Sequence, residues 1–435
     1  MSTPLVKGWC PGALRPMESG DGLIARLKIT GGIVPLGLAA KIADWAARWG
    51  NGQIDLTQRA NLQIRGLTPD GAAALQDAMA AEGLLDADPD GEAVRNVIAS
   101  PLAGIDPEAL VDIRPLVKAL EARLAGDAAL HALSAKFCFA VGDGGRFGLG
   151  DVRADIRFVA VPGPAFVVGF DGSDERFGPV APEALVETAA ALARAFIATG
   201  AKRMRALELS GIHALANASP LEGEVGNASA LTGGGYGAAA RLLGEWDLCP
   251  PPAAVHAAST SPSRGEAKIE CIGVGLPFGR IAAGELAELA KAAADAGGSE
   301  IRLTPWRAVI VPTPSQVAAE KIAAAARTLN LILDPSDPRR RVAACVGAPA
   351  CANATTAVRA DAENLAQWVG EGSFLHVSGC AKGCAHPRPA PVTLVGRQGH
   401  YDLIRDDRPV LTGLTLDEAT RYLREMPLHL RSGTA

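Results

Sequence analysis

Two segments of this 435-residue chain resemble each other, and an internal repeat limits the possible folds more tightly than composition does. The first runs Gly22-Leu-Ile-Ala-Arg-Leu-Lys-Ile, passes Gly31-Gly32, and enters a helix-period stretch from Leu36 to Trp49. It ends in a β-type run, Gln53-Ile-Asp-Leu-Thr-Gln-Arg-Ala-Asn-Leu-Gln-Ile-Arg65. The second starts at Ile269-Glu-Cys-Ile-Gly-Val-Gly, continues through a helical stretch from Ala282 to Ala296, and ends in Glu300-Ile-Arg-Leu-Thr-Pro-Trp-Arg-Ala-Val-Ile-Val311. Each unit reads strand, helix, strand, strand, the order of half a ferredoxin-like α+β sandwich. The expected architecture is α+β with a pseudo-twofold axis. Its half-domains span 1–70 and 267–335, each followed by a longer α+β region, 90–214 and 336–435.

In the first longer region, helices are expected around Pro107–Ala125 and Pro182–Thr199, with strands at Phe137–Val141, Ile156–Val161 and Ala165–Phe170 between them. In the second, a hairpin is expected at Val392–Ile404 and a last helix at Leu416–Arg424. Residues 215–266 are rich in Gly, Ala and Ser without periodicity and read as a linker or insertion.

Hydrophobic residues make up 48% of the chain, enough for two or three cores. A net charge of −5 carries no global basic signature for nucleic acid. No run approaches a membrane span, and Met1 to Met17 lacks the apolar core of a signal peptide, so a cytoplasmic protein is expected.

Four of the eight cysteines fall close together near the C-terminus: Cys345-Val-Gly-Ala-Pro-Ala-Cys351 and Cys380-Ala-Lys-Gly-Cys384. In a long chain without a signal peptide, ligand roles outrank disulfides. Four thiolates suit a [4Fe–4S] cluster. A zinc site usually has shorter C-x2–4-C arms. Gly347, Gly379 and Gly383 would let backbone amides approach the cluster sulfurs. Cys10, Cys138, Cys249 and Cys271 are scattered and read as small buried hydrophobes.

C-x5-C followed at a distance by C-x3-C resembles the cluster motif of the sulfite and nitrite reductase family, and the resemblance covers nearly the whole chain. It implies two ferredoxin-like halves and two nitrite/sulfite reductase 4Fe–4S-type domains. Ser378-Gly-Cys-Ala-Lys-Gly-Cys-Ala-His-Pro387 and the opening Lys7-Gly-Trp-Cys-Pro-Gly-Ala resemble the branch of that family that serves aerobic cobalamin synthesis. That branch implies precorrin-3A and dioxygen as substrates, hydroxylation at C20 with closure of a γ-lactone, and NADH as formal electron donor. It also implies a mononuclear non-haem iron besides the cluster. The alternative is a sulfite or nitrite reductase with bound sirohaem.

A reduced tetrapyrrole with eight carboxylates needs several basic side chains to hold it. Strand alternation places Arg59, Asn61, Gln63 and Arg65 on one face, a poor core face and a plausible ligand lining. Arg26 and Lys28 alternate on the first strand and could share that cavity. The resemblance adds Arg95, Asn96 and, in the C-x3-C loop, Lys382 to that lining, and it makes Lys136 and His386 the catalytic candidates. Sulfite reductases carry a second lysine where this chain has Cys138, which favours a tetrapyrrole as substrate. His386 could ligate iron, donate to substrate or cap its loop; His376, His131 and His213 have weaker claims. Neither Gly142-Asp-Gly-Gly-Arg-Phe-Gly nor Gly273-Val-Gly-Leu-Pro-Phe-Gly has dinucleotide spacing, so NADH is expected to act through a separate reductase.

Overall fold

The computed structural model describes residues 10–217, 270–386 and 388–425. The residues before Cys10, most of the expected linker and Cys249 lie outside them.

The repeat folds into two antiparallel sheets that exchange strands. One sheet has the order Met17–Ser19, Gly22–Leu27, Leu62–Leu67, Gln53–Leu56, Arg280–Ala282. The other has the order Glu270–Gly275, Ala308–Thr313, Glu300–Leu303, Ile33–Pro35. Each half therefore lends a three-residue strand to its twin: Ile281 sits opposite Ile54, and Val34 opposite Ile301. These strands are too short to show periodicity in sequence. The units read as strand, helix, strand, strand instead fold as strand, exchanged strand, helix, strand, strand, helix. The closing helices, Pro69–Ala81 and Gln316–Thr328, were not expected.

Helix Leu36–Trp49 buries Leu36, Ala39, Ile42, Ala43 and Ala46 along one stripe. Its twin, Ala283–Asp295, buries Leu286, Leu289, Ala290 and Ala293. The two stripes pack into one core shared by both halves. Glu285 accepts the Ala282 N–H at 2.7 Å, satisfying an orphan donor at the second helix start.

The two longer regions form sheets of one design. The first orders Val97–Ala99, Phe139–Gly142, Ile156–Val161, Ala165–Phe170 and Arg176–Val180. The second orders Val342–Ala344, Leu375–Ser378, Val392–Arg397, His400–Arg405 and Arg408–Leu414. In both, the first two pairings are parallel and the last two antiparallel. A helix crosses from first to second strand in each, Arg114–Gly126 and Val358–Ala366. Each has its own core.

Equivalent positions of the repeat pin these regions in place. Arg302, 1% exposed, donates to the carbonyls of Pro101 and Ala103 at 3.4 and 3.0 Å. Asp55, its counterpart in Gln53-Ile-Asp-Leu, accepts from Arg359 at 3.1 Å.

Candidate cluster site

Parallel pairing brings the two cysteine loops together. Ala344 lies opposite Val377, so the chain leaves both strands at the same end of the sheet. Cys345 donates its N–H to the Val377 carbonyl at 3.2 Å, and the Gly379 N–H donates to Cys345 Sγ at 3.2 Å. The Gly347 amide also favours the charged form of that sulfur. Cys351 N–H closes on the Gly347 carbonyl at 2.8 Å. Gly347 has φ 71°, and a Cβ there would lie 2.7 Å from the Val358 nitrogen. No larger residue fits that approach.

Cys384 lies within electrostatic reach of Cys345, Cys351 and Cys380. Burial pushes the Cys345 and Cys384 thiols up, and the other thiols add to the push. A coordinated metal reverses that, because a ligating thiol is deprotonated outright. Among the described residues, no three His, Cys, Asp or Glu side chains are close enough to share one metal ion. Convergent thiols with amide donors aimed at sulfur fit a [4Fe–4S] cluster. The mononuclear iron implied by the family resemblance finds no ligand set among the described side chains, and no step is derived through it.

Two arginines reach the cysteine loops. Arg307 donates to the carbonyl of Ala385 at 2.7 Å, and Arg65 to that of Ala350 at 3.2 Å, each one residue from a thiol. Asp55 receives Arg280 at 2.7 and 3.0 Å, Arg359 at 3.1 Å and Arg65 at 3.4 Å. Those guanidinia overcome the cost of its burial and hold it at about 2. His376 is 3% exposed, and its Nε2 has no partner. Burial, with His386 and Arg307 nearby, pulls it down to about 4 and keeps the ring neutral at pH 7. The His386 ring packs 4.8 Å from Phe374 and 5.8 Å from His376.

The residues read as a ligand face separate. Thr57–Asn61 is a tight turn, with Ala60 at φ 54°, and the strand begins only at Leu62. Arg59 projects from the turn and donates to the Lys136 carbonyl at 2.7 Å. Asn61 is buried, while Gln63 and Arg65 alone share a strand face. Arg65 is 4% exposed and takes both oxygens of Asp21 at 2.9 and 2.8 Å, so it belongs to the interior. Lys28 lies beyond its strand, buried against the carbonyls of Glu92 and Ala93 and against Asn96 Oδ1. Burial, with Arg26 and Arg95 nearby, draws its amine down to about 7. Arg26 is held below its usual range by burial; it bonds Cys10, and its Nε is without a partner.

Arg95 is clamped by Asp86 at 2.7 Å and Glu121 at 3.1 Å. Asn96 donates to the carbonyls of Ala93, Ala135 and Phe137. The polar side-chain atoms of both residues are engaged by protein partners. Cys138 is buried, with its thiol donating to the Phe139 carbonyl. Lys136 and Lys382 are exposed. His131 Nε2 donates to the Ala125 carbonyl, and His213 pairs with Glu175.

Sequence reasoning missed Arg203, which donates to the Lys136 carbonyl at 2.8 Å beside Arg59. It also missed Arg153, held below its usual range by partial burial with Arg205, Arg388 and Arg203 around it. These cations link the Lys136 turn to the chain just past Cys384. Arg307 had one available signal: in Thr304-Pro-Trp-Arg it occupies the place that Ala60 holds in Thr57-Gln-Arg-Ala, and both have positive φ. Arg359 had none.

The profile described as "Nitrite/Sulfite reductase ferredoxin-like half domain" matches residues 15–82 and 262–329. That described as "Nitrite and sulphite reductase 4Fe-4S domain" matches residues 90–244. A curated relative, precorrin-3B synthase of Sinorhizobium sp, is 33% identical over 420 residues, covering 92% of this chain and 82% of the relative. The chain belongs to the nitrite/sulfite reductase superfamily. Ferredoxin–nitrite reductase of Synechococcus elongatus, in the same superfamily, is 26% identical over 92% of this chain and 80% of its own length. The solved structure titled "Structure of Mycobacterium tuberculosis NirA protein" shares the superfamily fold, with TM-score 0.66 and 18% identity over 95% of this chain and 82% of its own. As the superfamily membership implies, the chain is an oxidoreductase of iron–sulfur type. Among its described residues, no helix is long and apolar enough to cross a membrane.

Proposed function

We propose that this protein is an oxygen-dependent monooxygenase that converts precorrin-3A to precorrin-3B, with a [4Fe–4S] cluster held by Cys345, Cys351, Cys380 and Cys384. The observation that carries the reading is the 33% identity to a precorrin-3B synthase over 92% of the chain. The basic cluster supports it. Arg59 and Arg203 meet at the Lys136 carbonyl, and Arg153, Arg205 and Arg388 continue the positive surface toward the cysteine loop. Such a surface suits a macrocycle ringed with carboxylates, since guanidinium–carboxylate pairs are strong and directional.

In this reading Arg59, Lys136 and Arg203 bind and orient the substrate's acidic arms. The neutral His376 and its neighbour His386 border the cysteine loop. The cluster, when bound, relays electrons singly. One atom of dioxygen enters the macrocycle at C20, the other leaves as water, and the γ-lactone closes from a ring A acetate. The balance needs two electrons, with NADH as formal donor acting through a separate reductase in the cytoplasm.

The test is incubation of the purified chain with precorrin-3A, dioxygen and a chemical reductant, followed by mass analysis. A product heavier by one oxygen is expected. No change in mass, together with a sirohaem band and nitrite- or sulfite-dependent turnover, would establish the reductase instead. NADH alone should give no turnover with the purified chain.

A further inference from the structure

Arg65, Arg280 and Arg359 come from both half-domains and from the helix after the Cys351 loop, and the carboxylates they pair with are Asp21 and Asp55. Cations outnumber carboxylates in this group. Arg359 shows the deficit most plainly. One nitrogen donates to Asp55 at 3.1 Å, while Nε and Nη1 are buried with no partner. Buried guanidinium groups ordinarily satisfy their donors. Burial pulls Arg359 down to about 10, and Arg280, Arg307 and Arg65 nearby reinforce that against the pull of Asp55. This group of cations reaches the cysteine loops through Arg307 at the Ala385 carbonyl, next to Cys384, and Arg65 at the Ala350 carbonyl. Four thiolates with their iron–sulfur core form an anion, and reduction adds one further negative charge to it.

We propose that Arg359 and Arg307 are positioning residues whose field favours the reduced cluster and raises its reduction potential. The one-electron step takes an electron from an external donor and leaves the cluster more negative by one, beside cations that are already in place. The inference rests on the assignment of the four cysteine ligands and not on the identity of the substrate.

The experiment is an EPR-monitored redox titration of the full chain carrying its cluster, with iron and sulfide assayed in parallel. Arg359→Met and Arg307→Met should each keep the cluster. Each should lower the reduced-to-oxidised ratio at the wild-type midpoint about tenfold, equivalent to roughly 59 mV for one electron. Arg359→Lys, which keeps the charge, should stay near wild type. Unchanged ratios in both Met variants overturn the proposal, as does an Arg359→Lys shift equal to that of Met, which would mean shape matters and charge does not. Loss of iron from both Met variants would also overturn it, by showing a holding role. If Arg359→Met does not fold, Arg307→Met decides alone. A wild-type chain that binds no cluster would sink the ligand assignment itself, an outcome distinct from a cluster with an unmoved potential.

Discussion

The two five-stranded domains share a backbone and differ in what it holds. In the second, Cys345 opens a loop that closes at Cys351; in the first, Ser100 opens a loop of equal length that closes at Asp106. The hydrogen bonds correspond one for one. Ser100 N–H reaches Val141 O at 3.2 Å, as Cys345 N–H reaches Val377 O at 3.2 Å. The Asp143 N–H donates to Ser100 Oγ at 3.1 Å, as the Gly379 N–H donates to Cys345 Sγ at 3.2 Å. Asp106 N–H closes on Leu102 O at 2.9 Å, as Cys351 N–H closes on Gly347 O at 2.8 Å. Where the second domain presents thiols, the first presents the Arg146–Asp106 ion pair, bonded at 2.7 Å from the Arg146 backbone N–H and 2.9 Å from its Nε.

The cradle is therefore a property of the fold, and cluster binding is a property of the side chains set in it. That separation explains why the profile named for a 4Fe–4S domain matches residues 90–244, which contain none of the four clustered thiols.

The comparison breaks or sharpens at defined positions. The largest effect should come from Cys351→Ser: it should remove most of the iron and the broad visible absorbance, whereas Ser100→Ala should leave both intact. Retained iron and sulfide in the cysteine variant would show that the thiol is not a ligand. Next, Asp106→Ala should destabilise the protein by about 3–5 kcal/mol in denaturant titration, because it strands the Arg146 charge, with iron content per folded chain unchanged. Iron loss there would mean that the two cradles are not independent.

A smaller effect concerns Asp55, which ties the first half-domain to the thiol-bearing domain. Its carboxyl is depressed from 3.8 to about 2. Its contribution is present above the ordinary aspartate range and is lost as pH falls from that range through about 2. The loss should be about 2 kcal/mol, and Asp55→Asn should lack that acid limb. An identical acid profile in the variant would detach Asp55 from this role. The smallest effect is Ser100→Ala itself, about 1 kcal/mol for one hydrogen bond, measured by the same denaturant titration.

Much of this was legible in the sequence, for physical reasons. The long helices and hairpins announced themselves through period and length: Leu36–Trp49 was placed to the residue, and Leu416–Glu425 to within one at its end. That the two cysteine loops belong together was legible because thiol spacing survives without any knowledge of topology. The exchanged strands, Ile33–Pro35 and Arg280–Ala282, were not, since three residues carry no periodicity and their partners lie far away in sequence. Basic side chains were the least legible. Arg59 and Arg65 looked alike on a strand, but a turn at Ala60 sends one to a carbonyl at the surface and leaves the other buried among carboxylates. A charge in sequence does not say whether its partner is a neighbour or a ligand; Arg95 and Lys28, read as facing a ligand, have Asp86 and Asn96 as partners.

The most direct test of the account is an iron and acid-labile sulfide count, with EPR of the reduced state, on the full chain purified without oxygen. The account predicts one four-iron, four-sulfide cube per chain, housed by the second domain alone and abolished by serine at Cys345 or Cys380. A chain that carries zinc or no metal, or one that keeps its cube after those replacements, would contradict it.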